Sequence, residues 1–302
     1  MKILLTINKT YRGQPDSSQW YVREPLESLG HEVVFYDTVA GDPAGNTYDQ
    51  IIETFKPELV FCMLTGDKAI APYEPWNALM KETQSGRTKT FNWFCDDTWR
   101  FDTFSKIACR AFTVCSTPER DHIEKYKNEG YDNIIVGNWH ASAKCFTPSD
   151  WDTRKYALSF IGAPTPSRSQ FFNDSMIPVE FLTGLSQEQL FEAHSNSQVG
   201  INLSVNDNDP DGKTQMKQRI FEVPASAGTL LTQYHPGIEE YYDIGTEILT
   251  FKTPEEFAEQ AIALMTNEKM LKEVAAAGHR RFLKDHDSKV RLEKVLQEIM
   301  AI

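Results

Sequence analysis

The chain has 302 residues, of which 40% are hydrophobic and 25% are charged, and its formal net charge is −12 at pH 7. This length suits two domains of roughly 150 residues, each with a real core. The negative charge argues against a general nucleic-acid or anionic-membrane binder, because both functions need a basic surface. A local basic pocket for a small anion remains compatible with it.

The cysteines and the apolar runs indicate the compartment. Five cysteines occur without a CxxC pair, which is typical of reduced core thiols and not of a disulfide or zinc framework. The apolar run 1–7 is too short for a signal peptide, and no run approaches the ~20 apolar residues of a membrane span. The sequence therefore predicts a cytoplasmic protein without integral membrane contact.

Strands and helices alternate in the first half of the chain. The predicted elements are a strand at 2–7, a polar loop at 8–18, a helix ending at Gly30, a strand at 31–37, a helix at 48–55 and a strand within 56–64. This alternation predicts a parallel, doubly wound sheet, in which ligands bind beyond the carboxyl ends of the strands. The 8–18 loop is therefore expected at a ligand cleft, although it lacks the GxGxxG pattern of dinucleotide-binding loops.

Two adjacent carboxylates follow the next predicted strand. Residues 90–95 read as a strand that delivers Asp96 and Asp97 at its carboxyl end. Carboxylates at this position are placed for acid–base chemistry, but an Asp there also caps the following turn, 98–101. We expect Asp96 or Asp97 to contact a ligand bound at this edge of the sheet, and the residues do not choose between them.

The second half begins after a polar break at 151–155. A strand at 157–163 precedes Arg168, which opens a predicted helix, and a strand at 179–184 follows. Ser186 with Gln189 three residues later forms a capping box. The further predicted elements are a strand at 199–204, a strand at 228–234, a short helix at 235–244, a strand at 247–252, a helix capped by Thr253, and closing helices at 268–277 and 284–300.

The acidic loop 205–212 resembles two metal motifs. Asp207, Asp209, Asp211 and Gly212 match the start of a calcium-binding EF-hand loop, but the twelfth position is Gln218 where that site needs a bidentate Glu. Asp207 and Asp209 also match a DxD metal motif, which belongs to a fold other than two Rossmann-like halves. We therefore expect no metal and interpret the segment as a turn-rich loop.

The stretch KTQMKQRIFEVPASAGTLLTQY, residues 213–234, carries the strongest functional signal. Lys213, Lys217 and Arg219 place three cations in the first turns of a predicted helix, with Glu222 three residues after Arg219. A run of small residues ends in Gly228, a predicted helix C-cap. A helix N-terminus with cations offers N–H groups and positive charge to an anion, so we expect the diphosphate of a nucleotide here.

Several ordered motifs resemble one family. The pattern K-x-R-x-F-E-x-x-A-x-A-G at 217–228, G-x-E-I-x-x-F at 245–251, T-P-E-E at 253–256 and the tail that begins at 275 are similar to the CgeB-like (spore-maturation-protein-type) glycosyltransferases. The similarity covers roughly residues 90–300. It implies an α/β protein of the GT-B fold, with two Rossmann-like domains whose parallel sheets face a cleft that holds a nucleotide-sugar donor.

The resemblance also implies roles for individual residues. Glu222 would hold the ribose of the donor. The wider retaining group has a Glu eight positions earlier, where this chain has Thr214, so that Thr214 takes the sugar position and Asp211 or Asp209 could hold the sugar hydroxyls instead. Four basic residues would bind the donor diphosphate: Arg168, Lys213, Lys217 and Arg219.

The domain limits that follow are 1–150 for an acceptor domain, 151–282 for a nucleotide-sugar domain and 283–302 for a helix that packs back on the first domain. The predicted function is transfer of a sugar from a nucleotide diphosphate to a hydroxyl of a glycan, protein or small molecule, without a metal or a further cofactor.

A retaining transfer, which the resemblance suggests, needs no dedicated nucleophile, whereas an inverting one would use Asp96 or Asp97 as base. The alternatives are a non-catalytic nucleotide- or sugar-binding module and a sugar-nucleotide epimerase on the same fold.

Overall fold

The structure is a computed structural model that describes residues 1–11, 13–207 and 212–302. The chain divides into two compact units: Met1–Asn138 together with Arg291–Ile302, and Trp139–Val290. Each unit holds its own parallel sheet flanked by helices. This confirms the predicted α/β class with two Rossmann-like halves, while the limits 1–150, 151–282 and 283–302 stay predictions.

The strands of the described residues are β1 (Lys2–Ile7), β2 (Thr10–Tyr11), β3 (Gln14–Pro15), β4 (Glu32–Asp37), β5 (Leu59–Cys62), β6 (Lys89–Trp93), β7 (Val114–Thr117), β8 (Ile134–Val136), β9 (Tyr156–Ile161), β10 (Glu180–Leu182), β11 (Ser197–Asn202), β12 (Thr229–Gln233) and β13 (Leu249–Phe251). The predicted strands are present, most of them shortened by one or two residues at an end.

The α-helices of the same residues are α1 (Glu24–Ser28), α2 (Tyr48–Phe55), α3 (Trp76–Ser85), α4 (Asp97–Arg100), α5 (Lys106–Ala108), α6 (His122–Asn128), α7 (Pro166–Ser175), α8 (Gln187–Ser195), α9 (Arg219–Ala225), α10 (Pro254–Thr266), α11 (Glu268–Asp285) and α12 (Ser288–Ala301). Gln19–Arg23 and Phe101–Ser105 are π-helical, and 3₁₀ turns occupy Cys109–Ala111, Ala143–Cys145, Trp151–Thr153 and Ile238–Glu240.

The sheet of the first unit has the order β4-β1-β5-β6-β7-β8 and is parallel throughout. Its strands are apolar runs because both faces are covered. Leu4 and Val60 lie in the core on one face. On the other face Ile3 and Leu5 pack in one core with Leu292 of α12, so the C-terminal segment belongs to this unit. The predicted loop 8–18 contains the short antiparallel pair β2–β3.

The sheet of the second unit has the order β10-β9-β11-β12-β13 and is also parallel. Its core contains Phe160, Val199 and Leu231. Gly200 in β11 permits a close approach of α9, since a Cβ atom added there would lie 2.4 Å from Cγ2 of Val223. Helix α9 therefore packs directly on β11.

The predicted helix start at Lys213 is wrong. Residues 213–215 run antiparallel to 204–206: Thr214 bridges to Val205, and the amide of Gln215 donates to the carbonyl of Ser204 at 2.8 Å. These backbone groups are occupied in a ladder and cannot form a helical turn. The helix begins only at Arg219.

Two other boundary predictions also need correction. Helix α9 ends at Ala225, and the residue in the left-handed region is Ala227, with φ 54°, and not Gly228. The predicted helix at 235–244 is reduced to the 3₁₀ turn Ile238–Glu240. By contrast, the Ser186 capping box and the Thr253 cap are confirmed, because each side chain accepts a hydrogen bond from the expected backbone amide.

All five cysteines are free, and Cys62, Cys109 and Cys115 are buried. Across the described ranges, the helices are too short or too polar to cross a membrane.

Candidate functional site: an anion site on the second sheet

The candidate site lies at the carboxyl edge of the second unit's sheet. Strands β9 and β11 are neighbours, but the chain leaves β9 for β10 on one side and leaves β11 for β12 on the other. Open α/β sheets bind ligands at such a switch point, beyond the carboxyl ends of the strands. The segments 162–168 and 203–207, which follow these two strands, therefore border the site.

Two arginines converge on one aromatic ring at this edge. Arg168 of α7 places its Cζ 5.5 Å from the ring centroid of Phe160, and Arg219 of α9 places its Cζ 4.7 Å from the same centroid. Both distances are within cation–π range. A Cβ atom added at Gly162 would lie 3.0 Å from Nη2 of Arg219, so the residue that follows β9 leaves room for this guanidinium group.

Arg219 forms no salt bridge with a carboxylate within the described part of the chain. Its Nη1 donates a hydrogen bond to the side-chain oxygen of Asn202 at 2.8 Å. The pKa of Arg219 is lowered to about 10, first by burial and then by the positive charge of Arg168, while Glu222 raises it. An anion bound beside the two arginines would favour their charged forms.

Arg168 differs from Arg219 because it has an acidic partner. Its Nε lies 3.4 Å from Oδ2 of Asp207. The Asp207 carboxylate also accepts hydrogen bonds from the hydroxyl groups of Thr165, at 3.1 Å, and Ser167. Asp207 therefore fixes both the start of α7 and the position of Arg168, and the predicted placement of Arg168 at a helix start is confirmed.

Lys213 and Lys217 precede α9 instead of lying on it. Lys213 is exposed, and Nζ of Lys217 donates to Oε1 of Gln215 at 3.3 Å. Their contacts with a diphosphate stay predictions.

Thr214 lies beside a histidine that the sequence did not single out. Its hydroxyl oxygen is 2.9 Å from Nδ1 of His235, a buried residue in the loop after β12. The contact joins this loop to the extended segment 213–215, and the role of Thr214 toward a donor sugar stays a prediction. Asp209 and Asp211 lie outside the described residues.

Glu222 points into the interior of the second unit. It is 5% exposed, and its Oε2 lies 3.5 Å from Nε2 of His194 on α8. Arg219, three residues earlier on the same helix, donates its hydrogen bond to Asn202. The ribose contact of Glu222 stays a prediction.

The two aspartates of the first unit have different environments. Asp97 is fully buried, and its Oδ2 accepts a hydrogen bond from the hydroxyl of Tyr126 at 2.8 Å. Burial raises the pKa of Asp97, while hydrogen bonds from Ser105, Thr117 and Tyr126 lower it. Asp96 is half-buried and precedes α4, where its carbonyl accepts from the amide of Arg100. Asp96 is thus the more accessible carboxylate.

Sequence reasoning missed Phe160 and Asn202. In the sequence, Phe160 is indistinguishable from a core residue of an apolar strand. Asn202 carried a signal, since it is the one amide at the end of the otherwise apolar run VGINL. In the sequence Asp207 belongs to a possible metal motif, but in the described ranges no group of three or more His, Cys, Asp or Glu could hold a metal ion.

The chain is an α/β protein of the GT-B fold, and its second half carries a candidate anion site. The chain belongs to the glycosyl transferase-like family, whose model matches residues 110–297. A search of curated protein sequences found no significant match.

Solved structures of glycosyltransferases share the fold over the whole chain. A glycosyltransferase from Rickettsia africae has 10% identity and a TM-score of 0.67, covering 99% of this chain and 97% of its own. Anabaena Alr3699/HepE in complex with UDP-glucose has 11% identity and a TM-score of 0.65, and sucrose-phosphate synthase from Thermosynechococcus elongatus has 10% and 0.64, each with full coverage of both chains.

Proposed function

We propose that the protein is a glycosyltransferase that moves a sugar from a nucleoside-diphosphate donor to an acceptor hydroxyl. The observation that carries the proposal is the convergence of Arg168 and Arg219 on Phe160 at the switch point of the second sheet. Two like charges held together are unfavourable unless anions compensate them, and the salt bridge to Asp207 serves only Arg168. Guanidinium groups match phosphate oxygens in charge and in hydrogen-bond geometry.

The arginines would act on the leaving group. Negative charge grows on the β-phosphate as the bond to the sugar breaks, and cations already in place stabilise it without reorganisation. We propose that the transfer retains configuration and needs no metal, in line with the resemblance to CgeB-like enzymes. If it inverts, Asp96 is the better candidate base, because Asp97 is enclosed and holds Tyr126.

The donor is proposed to be a UDP-sugar. The Anabaena protein of similar fold is complexed with UDP-glucose. Arg168 and Arg219 would contact only the diphosphate, so they do not select the base or the sugar. A thermal-shift panel of UDP, GDP, ADP, CDP and dTDP and their sugars would test this. Binding stabilises by about 2.7 kcal/mol at a hundredfold excess over Kd.

The panel should be repeated on Arg168→Gln and on Arg280→Gln. Arg280 is an exposed residue of α11, so its variant removes the same charge away from the site. We expect the nucleotide-induced rise in melting temperature to shrink in Arg168→Gln and to persist in Arg280→Gln. Absence of a shift with every nucleotide in the wild type would count against the proposal.

Measurements of turnover distinguish a glycosyltransferase from the two alternatives, an epimerase and a non-catalytic binding module. A glycosyltransferase releases the nucleoside diphosphate faster when a suitable acceptor is added, an epimerase converts the sugar nucleotide without an acceptor, and a binding module does neither. Family membership favours transfer. Nucleoside-diphosphate release from the best-binding sugar nucleotide, with and without pooled glycan and small-molecule acceptors, would decide between them.

A further inference from the structure

Asn202 holds the guanidinium group of Arg219 from the end of β11. It is fully buried. Its Oδ1 accepts from Nη1 of Arg219 at 2.8 Å, and its Nδ2 donates to the hydroxyl oxygens of Ser204, at 3.2 Å, and Thr232, at 2.9 Å. Each of these three neighbouring side chains therefore forms a hydrogen bond with Asn202.

The protons of this network require an amide at position 202. The hydroxyl of Ser204 donates to the backbone carbonyl of Gln233 at 2.7 Å, and the hydroxyl of Thr232 donates to the same carbonyl at 3.1 Å. Each hydroxyl has one hydrogen, so both oxygens can only accept from position 202. An amide NH₂ supplies the two donors, and its oxygen then faces Arg219. A carboxylate would face two acceptors.

The two arginines of the site are therefore held in opposite ways. Arg168 pairs with the carboxylate of Asp207, whereas Arg219 pairs with a neutral amide. A carboxylate at position 202 would give Arg219 an internal counter-ion and reduce its attraction for another anion. The neutral partner orients the guanidinium group and leaves its charge for a ligand.

We propose that Asn202 is a positioning residue that presents Arg219 to the donor diphosphate through a neutral hydrogen-bond partner, and that the neutrality of position 202 sets diphosphate affinity. The inference rests on the proposed function and adds a residue to the same site. The substitution Asn202→Asp tests the charge at this position with little change in side-chain size, because Asn and Asp have nearly the same size.

The test is calorimetric titration of UDP and inorganic pyrophosphate into the wild type and Asn202→Asp. We expect Asn202→Asp to lower the affinity for both probes on the order of tenfold or more, the value of one charge-assisted hydrogen bond. The matched control is Asn173→Asp, which adds the same charge at an exposed position of α7 and should bind as the wild type does. Melting temperatures of each variant identify any loss of folded protein.

Asn202→Asp should also be measured in the Arg219→Gln background, which shows whether Asn202 affects affinity through Arg219. If Asn202 acts through the charge of Arg219, Asn202→Asp should have little further effect on affinity once Arg219 is replaced. Asn202→Ala provides a second variant without the added charge, and it should weaken binding less than Asn202→Asp. An Asn202→Asp variant that binds both probes as the wild type does would overturn the assignment while leaving the glycosyltransferase proposal intact. Failure of the wild type to bind any nucleoside diphosphate would overturn both.

Discussion

Oε2 of Glu222 lies 3.5 Å from Nε2 of His194, with both side chains almost fully buried. The contact joins α9, which carries Arg219, to α8. A buried polar pair of this kind is costly to break from one side, because the remaining group keeps its desolvation penalty without its partner. Glu222 therefore has a structural function in addition to any contact with a ribose.

Replacement of Glu222 should reduce stability even without a ligand. We expect Glu222→Ala to lower the free energy of unfolding by about 1–3 kcal/mol, the cost of a buried polar group left without its partner. Urea unfolding of Glu222→Ala, His194→Ala and the double variant would give the coupling energy of the pair. Additive losses would contradict a direct interaction, and a loss of nucleotide binding with unchanged stability would instead favour a pure ribose contact.

Ala227 is strained by its backbone conformation. Its φ of 54° lies in the left-handed region, which Gly adopts without the penalty of a Cβ atom. Ala227→Gly should therefore increase the free energy of unfolding by about 0.5–1 kcal/mol. The control is Ala225→Gly within α9, which should cost about 1 kcal/mol. Destabilisation by both changes would contradict this reading of Ala227.

Gly200 sets the distance between β11 and α9. A methyl group at this position would lie 2.4 Å from Cγ2 of Val223, so Gly200→Ala should destabilise by about 1–3 kcal/mol through overpacking. Val223→Ala in the same chain removes the clashing methyl groups and should recover part of the loss. The double variant, measured by denaturant unfolding, should be more stable than the sum of the single changes predicts.

Asp97 should make stability depend on pH. Burial raises its pKa in the folded state, so the folded protein binds more protons than the unfolded chain between the two pKa values. The free energy of unfolding then falls as the pH rises through that window. We expect Asp97→Asn to gain stability relative to the wild type from about pH 4 upward.

The comparison variant for this effect is Tyr126→Phe. It removes a hydrogen bond that favours the Asp97 carboxylate, so the pKa of Asp97 should rise further and the loss of stability with pH should extend to higher pH. Parallel pH profiles for the wild type, Asp97→Asn and Tyr126→Phe would contradict the assignment.

Local signals predicted much of the fold, because they depend on neighbours in the chain. The alternation of strands and helices gave both sheets, and the capping box of Ser186 with Gln189 is confirmed. The helix predicted to begin at Lys213 was wrong at its start, since residues 213–215 pair with 204–206. Such pairing depends on tertiary structure and has no counterpart in local propensity.

The sequence indicated the two arginines of the candidate site but not the residues that hold them. Arg168 and Arg219 stood out as cations near the starts of elements, and the structure brings both to Phe160. The sequence could not show that Arg168 pairs with Asp207 while Arg219 pairs with Asn202. Those choices follow from the strand order, which sets the segments after β9 and β11 side by side.

Arg219 is proposed to bind the diphosphate of a nucleotide donor, and calorimetric titration of UDP tests this role most directly. The wild type and Arg280→Gln should bind UDP with the same affinity, and Arg219→Gln should bind on the order of tenfold or more weakly. Equal binding by Arg219→Gln and the wild type, or the absence of binding by the wild type to UDP and the other nucleoside diphosphates, would contradict the account.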